Sequence, residues 1–127
     1  MMLDMPLDPC PVKATMSALR GKWKTLLLFY LLRRTRRFGE LRRLMPQVSL
    51  QMLTSHLREL ERDGIVHRQS YEQVPLKVEY SLTPLGRSLE PILLLMLDWG
   101  QQYFQQEESS QSNISRPTNT EIASLHQ

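Results

Sequence analysis

The stretch SLQMLTSHLRELERDGIVHRQSYEQVPLKVEYSL, Ser49 to Leu82, predicts one helix followed by two strands, and it decides the fold. Ser49 suits a helix N-cap, because its hydroxyl can accept from a free backbone N–H of the first turn. From there Leu50, Leu53, Leu57 and Leu60 recur at helical spacing and predict one apolar face turned to a core. The opposite face carries Gln51, Met52, Ser55, Arg58, Glu59 and Arg62. Asp63-Gly64 ends the helix, since glycine takes the left-handed conformation that commonly terminates helices. Val66 to Tyr71 and Lys77 to Leu82 then read as strands, the second with Val78, Tyr80 and Leu82 alternating inward. Pro75 falls in the loop between them, where it removes no ladder hydrogen bond.

Working backwards, Pro46-Gln47-Val48 makes a turn, and Phe38 to Met45 is a short helix with Phe38, Leu41 and Leu44 or Met45 at helical spacing. The run Arg33-Arg34-Thr35-Arg36-Arg37 is polar and reads as a loop. Lys24 to Leu32 is a helix so apolar that it is buried on more than one side. Gly21 separates it from a first helix that opens at Cys10-Pro11-Val12, with Pro11 at the first helical position. Working forwards, Thr83-Pro84 caps a long helix reaching about Phe104. The sequence is therefore mainly α with a small β-hairpin. Three helices, a two-stranded wing and a closing helix are the order of a winged helix-turn-helix. Residues 1–9 read as a flexible arm, 10–106 as one DNA-binding and dimerisation domain, and 107–127 as a disordered polar tail.

Length and composition agree. A chain of 127 residues suits one domain, and 41 % hydrophobic residues suffice for a packed interior. Cys10 is the only cysteine, which leaves no intramolecular disulfide and no zinc site of paired cysteines. The N-terminus lacks the basic flank and apolar run of a signal peptide, and the longest apolar run, Ile92 to Leu97, is too short to span a membrane. A cytoplasmic protein with no membrane partner, no metal and no cofactor is expected.

Charge is placed unevenly. Between Arg20 and Arg68 twelve basic residues stand against four acidic ones, a net +8, while the remainder of the chain carries −5. Such asymmetry suits a surface facing phosphates. The expected partner is double-stranded DNA. Gln51, Met52, Ser55 and Arg58, with Ser49, Thr54 and Arg62 on the same helix, are the residues expected to meet bases and backbone; glutamine can bond adenine bidentately. Arg36, Arg37, Arg42 and Arg43 are expected to hold phosphates. Arg68 and Lys77, on facing strands of the wing, are expected to straddle the minor-groove backbone, although Arg68 can instead pair with Glu79 across the hairpin.

Several short motifs occur in order: Cys10-Pro11-Val12, Gly21-Lys22-Trp23, Arg37-Phe38-Gly39-Glu40-Leu41, Met52-Leu53-Thr54, Leu57-Arg58-Glu59-Leu60-Glu61, Asp63-Gly64, Val74-Pro75, Val78-Glu79-Tyr80-Ser81-Leu82-Thr83 and Trp99. Over roughly residues 10–100 the chain resembles the HxlR-type regulators, relatives of the MarR type. The resemblance implies a homodimer, usually a repressor, on a palindromic operator, joined through its first and last helices. It departs from the family pattern at Leu50 and Gln51, where a polar and then a basic residue are common. The residues themselves support the interface: Leu93, Met96, Leu97, Trp99, Tyr103 and Phe104, together with Val12 and Met16, offer more apolar surface than one packing face uses. Cys10 lies just before a helix N-terminus, a place that favours thiolates in general, and the resemblance implies an effector or redox role for it. The competing expectations are a winged-helix module that binds proteins instead of DNA, and an enzyme recruiting Cys10 with His56 or His67. The second lacks any glycine-rich loop, paired carboxylates or metal cluster.

Overall fold

A computed structural model describes residues 9–111. The elements are α1 (Pro11–Ala18), α2 (Lys22–Arg33), β1 (Arg36–Arg37), α3 (Phe38–Leu44), α4 (Leu50–Arg62), β2 (Val66–Tyr71), β3 (Lys77–Leu82), α5 (Pro84–Arg87) and α6 (Glu90–Gln111). This is the winged helix-turn-helix order, mainly helical with one small sheet. The chain divides into two units, Met1–Leu89 and Glu90–Gln127.

In the first unit, α1 and α2 meet at Gly21, whose φ of 84° suits glycine, and the Thr25 hydroxyl donates to the Leu19 carbonyl at 2.7 Å across that corner. Leu27, Leu28 and Leu31 of α2, Leu41 of α3, Met45, and Leu53, Leu57 and Leu60 of α4 are buried and form the helical part of the core. Of the alternatives Leu44 and Met45, the structure buries Met45. The helix α4 starts as expected, with Ser49 Oγ accepting from Met52 N at 3.0 Å. It stops at Gly64, φ 74°, where Gly64 N reaches Glu61 O at 3.0 Å and Ile65 N reaches Leu60 O at 2.9 Å.

The sheet has three strands in the order β1-β3-β2, all antiparallel. Its wing pairs Val66 with Leu82 and Tyr71 with Lys77, and Val66, Tyr80 and Leu82 are turned to the core. Strand β1 corrects the sequence expectation that Arg33 to Arg37 is a loop. Arg36 pairs with Tyr80 and Arg37 with Glu79, so strand alternation sends one arginine inward and the next outward. Thr83 fastens the end of β3 to the end of α4: its N–H donates to Ile65 O at 3.0 Å, and its hydroxyl reaches the Gly64 and Ile65 carbonyls and accepts from Gly86 N. Gly86 is buried, and a Cβ there would run into the Ile65 carbonyl oxygen.

The second unit is described through α6. The single long helix expected from Pro84 is divided, because Pro91 has no N–H to continue a ladder started in α5. The helix also runs to Gln111, past the expected tail boundary, since Gln and Glu are good helix formers. The expected arm, apart from Pro9, and residues 112–127 of the expected tail lie outside the described residues. Among the described residues no helix is long and apolar enough to cross a membrane.

Candidate nucleic-acid interface

The outer face of α4 is built by subtraction. Leu53, Leu57 and Leu60 face inward, which leaves Gln51, Met52, Ser55, Arg58 and Arg62 exposed, as expected from the helical wheel. Leu50 departs from the expectation: it is 49 % exposed and is not a core residue. It occupies the first helical position, beyond the part of α4 that the core covers. Two hydroxyls expected to meet DNA are engaged within the helix. Ser49 caps it, and Thr54 Oγ1 donates to Leu50 O at 2.9 Å.

One ion pair, buried at its lysine and half-buried at its carboxylate, holds α4 against α2. Lys24, only 3 % exposed, donates through Nζ to Glu59 Oε2 at 3.2 Å. Lys24, Leu27, Leu28 and Leu31 follow helical spacing on one side of α2, so a lysine sits where the pattern places a core residue. Sequence reasoning missed this anchor, although the spacing carried the signal. Lysine tolerates such a place because its long aliphatic stem is apolar and its ammonium meets a carboxylate.

The Lys24 hydrogen bond, and then its charge, hold the Glu59 carboxyl below the ordinary glutamate value of 4.5. A hydrogen bond from the Arg37 backbone N–H does the same for Glu40, helped by the charges of Arg34, Arg36 and Arg43. A folded-state pKa below the unfolded one contributes stability above the unfolded value and loses it as pH falls through the folded value. Melting temperature is therefore expected to fall as pH drops below the ordinary glutamate value of 4.5. Glu59→Gln should melt lower than the parent near neutrality but show a shallower acid decline; parallel pH profiles for the two proteins would refute the role of this pair.

The arginines separate into two groups. Arg36 was expected at phosphates, but it is 8 % exposed, and its Nε donates to the Tyr30 carbonyl at 3.1 Å while the guanidinium lies over the Tyr30 ring. It is a structural residue, turned inward by β1. Arg34 pairs with Glu40 at 2.8 Å. Arg42 and Arg43 project from α3, and with Arg37 they remain exposed.

Between α3 and the wing lies an open cleft of about 570 Å³. Arg37, Arg43, Arg68 and Lys77 bring four cationic side chains to its lining, with Glu40 as the single carboxylate. The cleft thus joins a helix and a hairpin that sequence reasoning treated separately. Lys77 is restrained there, paired with Glu79 at 3.0 Å and lying 4.7 Å from the centre of the Tyr71 ring. Arg68 is set opposite Tyr80 by the strand register, so the alternative pairing with Glu79 is not formed; Gln69 faces Glu79 instead. Arg68 and Arg43 therefore reach the cleft without an ion pair among the described residues.

Cys10 and the expected interface residues are not among those that line this cleft. Cys10 is half-buried at the N-cap of α1, where its carbonyl accepts from Ala14 N at 3.1 Å and its thiol makes no capping bond. Val12 and Met16 are exposed on α1. On α6, Met96, Leu97, Trp99 and Tyr103 are exposed, and the Trp99 and Tyr103 rings stack at 5.5 Å. Leu94 and Leu95 join that exposed apolar surface. Phe104 is half-buried and packs against Tyr103. Leu93 is 0 % exposed and lies beneath the surface that its neighbours present.

The family model described as HxlR-like helix-turn-helix matches residues 18–108. The HTH-type transcriptional regulator YdeP of Bacillus subtilis (strain 168) is 55 % identical over 96 residues, which cover 76 % of this chain and 75 % of YdeP. Among solved structures, the redox regulator HypR in its reduced form superposes with a TM-score of 0.74 at 52 % identity, over 78 % of this chain and 98 % of that one. The reduced form of the transcriptional regulator YodB from B. subtilis gives a TM-score of 0.66 at 35 % identity, over 74 % of this chain and 93 % of that one.

Proposed function

This chain belongs to the HxlR-like helix-turn-helix family and is a DNA-binding transcriptional regulator, not an enzyme, and from that premise we propose that it represses transcription in the cytoplasm by binding a palindromic operator as a homodimer. The observation that carries the reading is the cationic cleft between α3 and the wing. A helix with an apolar back and a polar front reads bases, and Arg43 and Arg68 fix its register on the backbone. Residues 10–106 supply both the DNA-binding and the dimerisation surfaces. The exposed apolar residues of α1 and α6 form the contact between two copies, which sets two α4 helices about one turn of DNA apart, near 34 Å.

Cys10 is the proposed sensing group. HypR is named a redox regulator. In this chain the sequence holds one cysteine, so no disulfide forms within a subunit. Oxidation joins two Cys10 thiols across the dimer, or one Cys10 to a small thiol. In either case two thiols give up two protons and two electrons to a diamide-type oxidant, and one S–S bond forms.

The test is binding of the full chain to fragments upstream of its own gene, measured against salt concentration and with and without diamide. Selective binding that weakens steeply with salt supports the regulator, since each phosphate contact releases counterions. Release by diamide, reversed by dithiothreitol and absent in Cys10→Ser, supports sensing. Binding indifferent to sequence on every fragment would overturn the operator reading and leave a winged module that binds proteins.

A further inference from the structure

Two large aliphatic side chains stand half exposed in the first turn of α4, Leu50 at 49 % and Met52 at 44 %. The core does not use them, since α4 supplies it with Leu53, Leu57 and Leu60. The polar groups around them are partly consumed. Ser49 Oγ is occupied by Met52 N–H, and the Thr54 hydroxyl by the Leu50 carbonyl. In the first two turns Gln51 and Ser55 are left as exposed polar side chains with no side-chain hydrogen bond to the described protein. The leading end of α4 therefore presents the Gln51 amide, the Ser55 hydroxyl, the unused O–H donor of Ser49 and two apolar groups.

The major groove offers donors and acceptors to the amide and the hydroxyls. To an apolar group it offers one distinctive feature, the C5 methyl of thymine, where cytosine carries only hydrogen. We infer that Leu50 and Met52 are specificity residues that pack on thymine methyl groups, with Gln51 between them in the chain bonding the N6 and N7 edge of a neighbouring adenine. Each half-site then places A·T pairs under the first turn of α4. Arg58, about two turns further along than Gln51, lies too far down the helix to supply this contact. The inference rests on the DNA-reading function above and names what that surface reads.

Deoxyuridine tests it, because replacing thymine with uracil removes one methyl and keeps every hydrogen bond. The full chain first selects its preferred duplex from a random pool. Single thymines of that duplex are then replaced in turn. At one or two thymines per half-site the replacement is expected to weaken binding about four-fold, the factor for burying one methyl group. Thymines outside the two helix footprints should be insensitive. A Leu50→Ala, Met52→Ala double variant, changed at exposed positions and melting as the parent does, should bind thymine and uracil duplexes equally at those positions. A selected duplex with no uracil-sensitive thymine overturns the inference while leaving the DNA-reading function intact. Sensitivity that the double variant retains also overturns it. A random pool that yields no preferred sequence is a different failure: it removes sequence reading, and this inference with it.

Discussion

An Arg43→Ala, Arg68→Ala double variant is expected to lose a large part of the salt dependence of DNA binding, on specific and non-specific duplexes alike. Both side chains are exposed and line the same cleft, one from α3 and one from β2. Two contacts per subunit make four in the proposed dimer, and each phosphate neutralised contributes about −0.9 to the slope of log K against log salt. The slope should flatten by roughly three to four. Between about 50 and 200 mM salt the parent should then lose roughly a hundred-fold more affinity than the variant does. The neighbouring cations give the contrast. Arg36→Ala removes a hydrogen bond to the Tyr30 carbonyl, so it should lower the melting temperature with little change of slope. Lys77→Ala should change the slope less than Arg68→Ala, because Glu79 already offsets its charge. A double variant whose slope equals the parent's would show that the cleft holds no phosphate.

That contrast also marks where the sequence stops being sufficient. The back of α4 was legible because three leucines at helical spacing have one place to go, and Gly64 and Ser49 fix where the helix ends. The wing was legible because Tyr80 and Leu82 alternate, and Pro75 is tolerated between the strands. The basic segment was legible as a total but not as a distribution. Whether an arginine faces solvent depends on a two-residue strand, and Arg33 to Arg37 contains no apolar residue to reveal one. A run of five polar residues carries no period, so the inward turn of Arg36 became visible only through its pairing with Tyr80.

Lys24 and Leu50 failed for opposite reasons. Lys24 was counted only as one charge of the basic segment, although its spacing from Leu27, Leu28 and Leu31 places it in the core. Leu50 was assigned to the core by its spacing from Leu53 and Leu57, although the first turn of a helix lies beyond what the core covers. At Lys24 residue type and periodicity disagreed and at Leu50 they agreed, yet in both the partner on the other element decided: Glu59 for Lys24, and none in the core for Leu50. The division between α5 and α6 was legible in Pro91 and was overridden by the long apolar run that follows it.

Leu57→Ala should separate the two faces of α4 most clearly. Leu57 is 1 % exposed, and the truncation removes buried methyl groups and leaves a cavity; such changes cost about 2 to 5 kcal/mol. A domain of this size is stable by only about 5 to 15 kcal/mol, and each kcal/mol moves its melting temperature by roughly 4 to 8 °C. A fall of about 10 to 30 °C is therefore expected, measured at one protein concentration because dimerisation also shifts the transition. Leu50→Ala, at the same residue type seven positions earlier on the same helix, should move the transition by no more than a few degrees. The binding consequences differ in kind. Leu57→Ala should lose DNA affinity in step with its unfolding and recover it on cooling, with thymine still preferred to uracil in the folded fraction. Leu50→Ala should keep its fold and lose part of that preference at every temperature. Equal melting of the two variants would mean that α4 is not anchored through Leu57. It would also mean that exposed and buried leucines on this helix are energetically alike, which their burial contradicts.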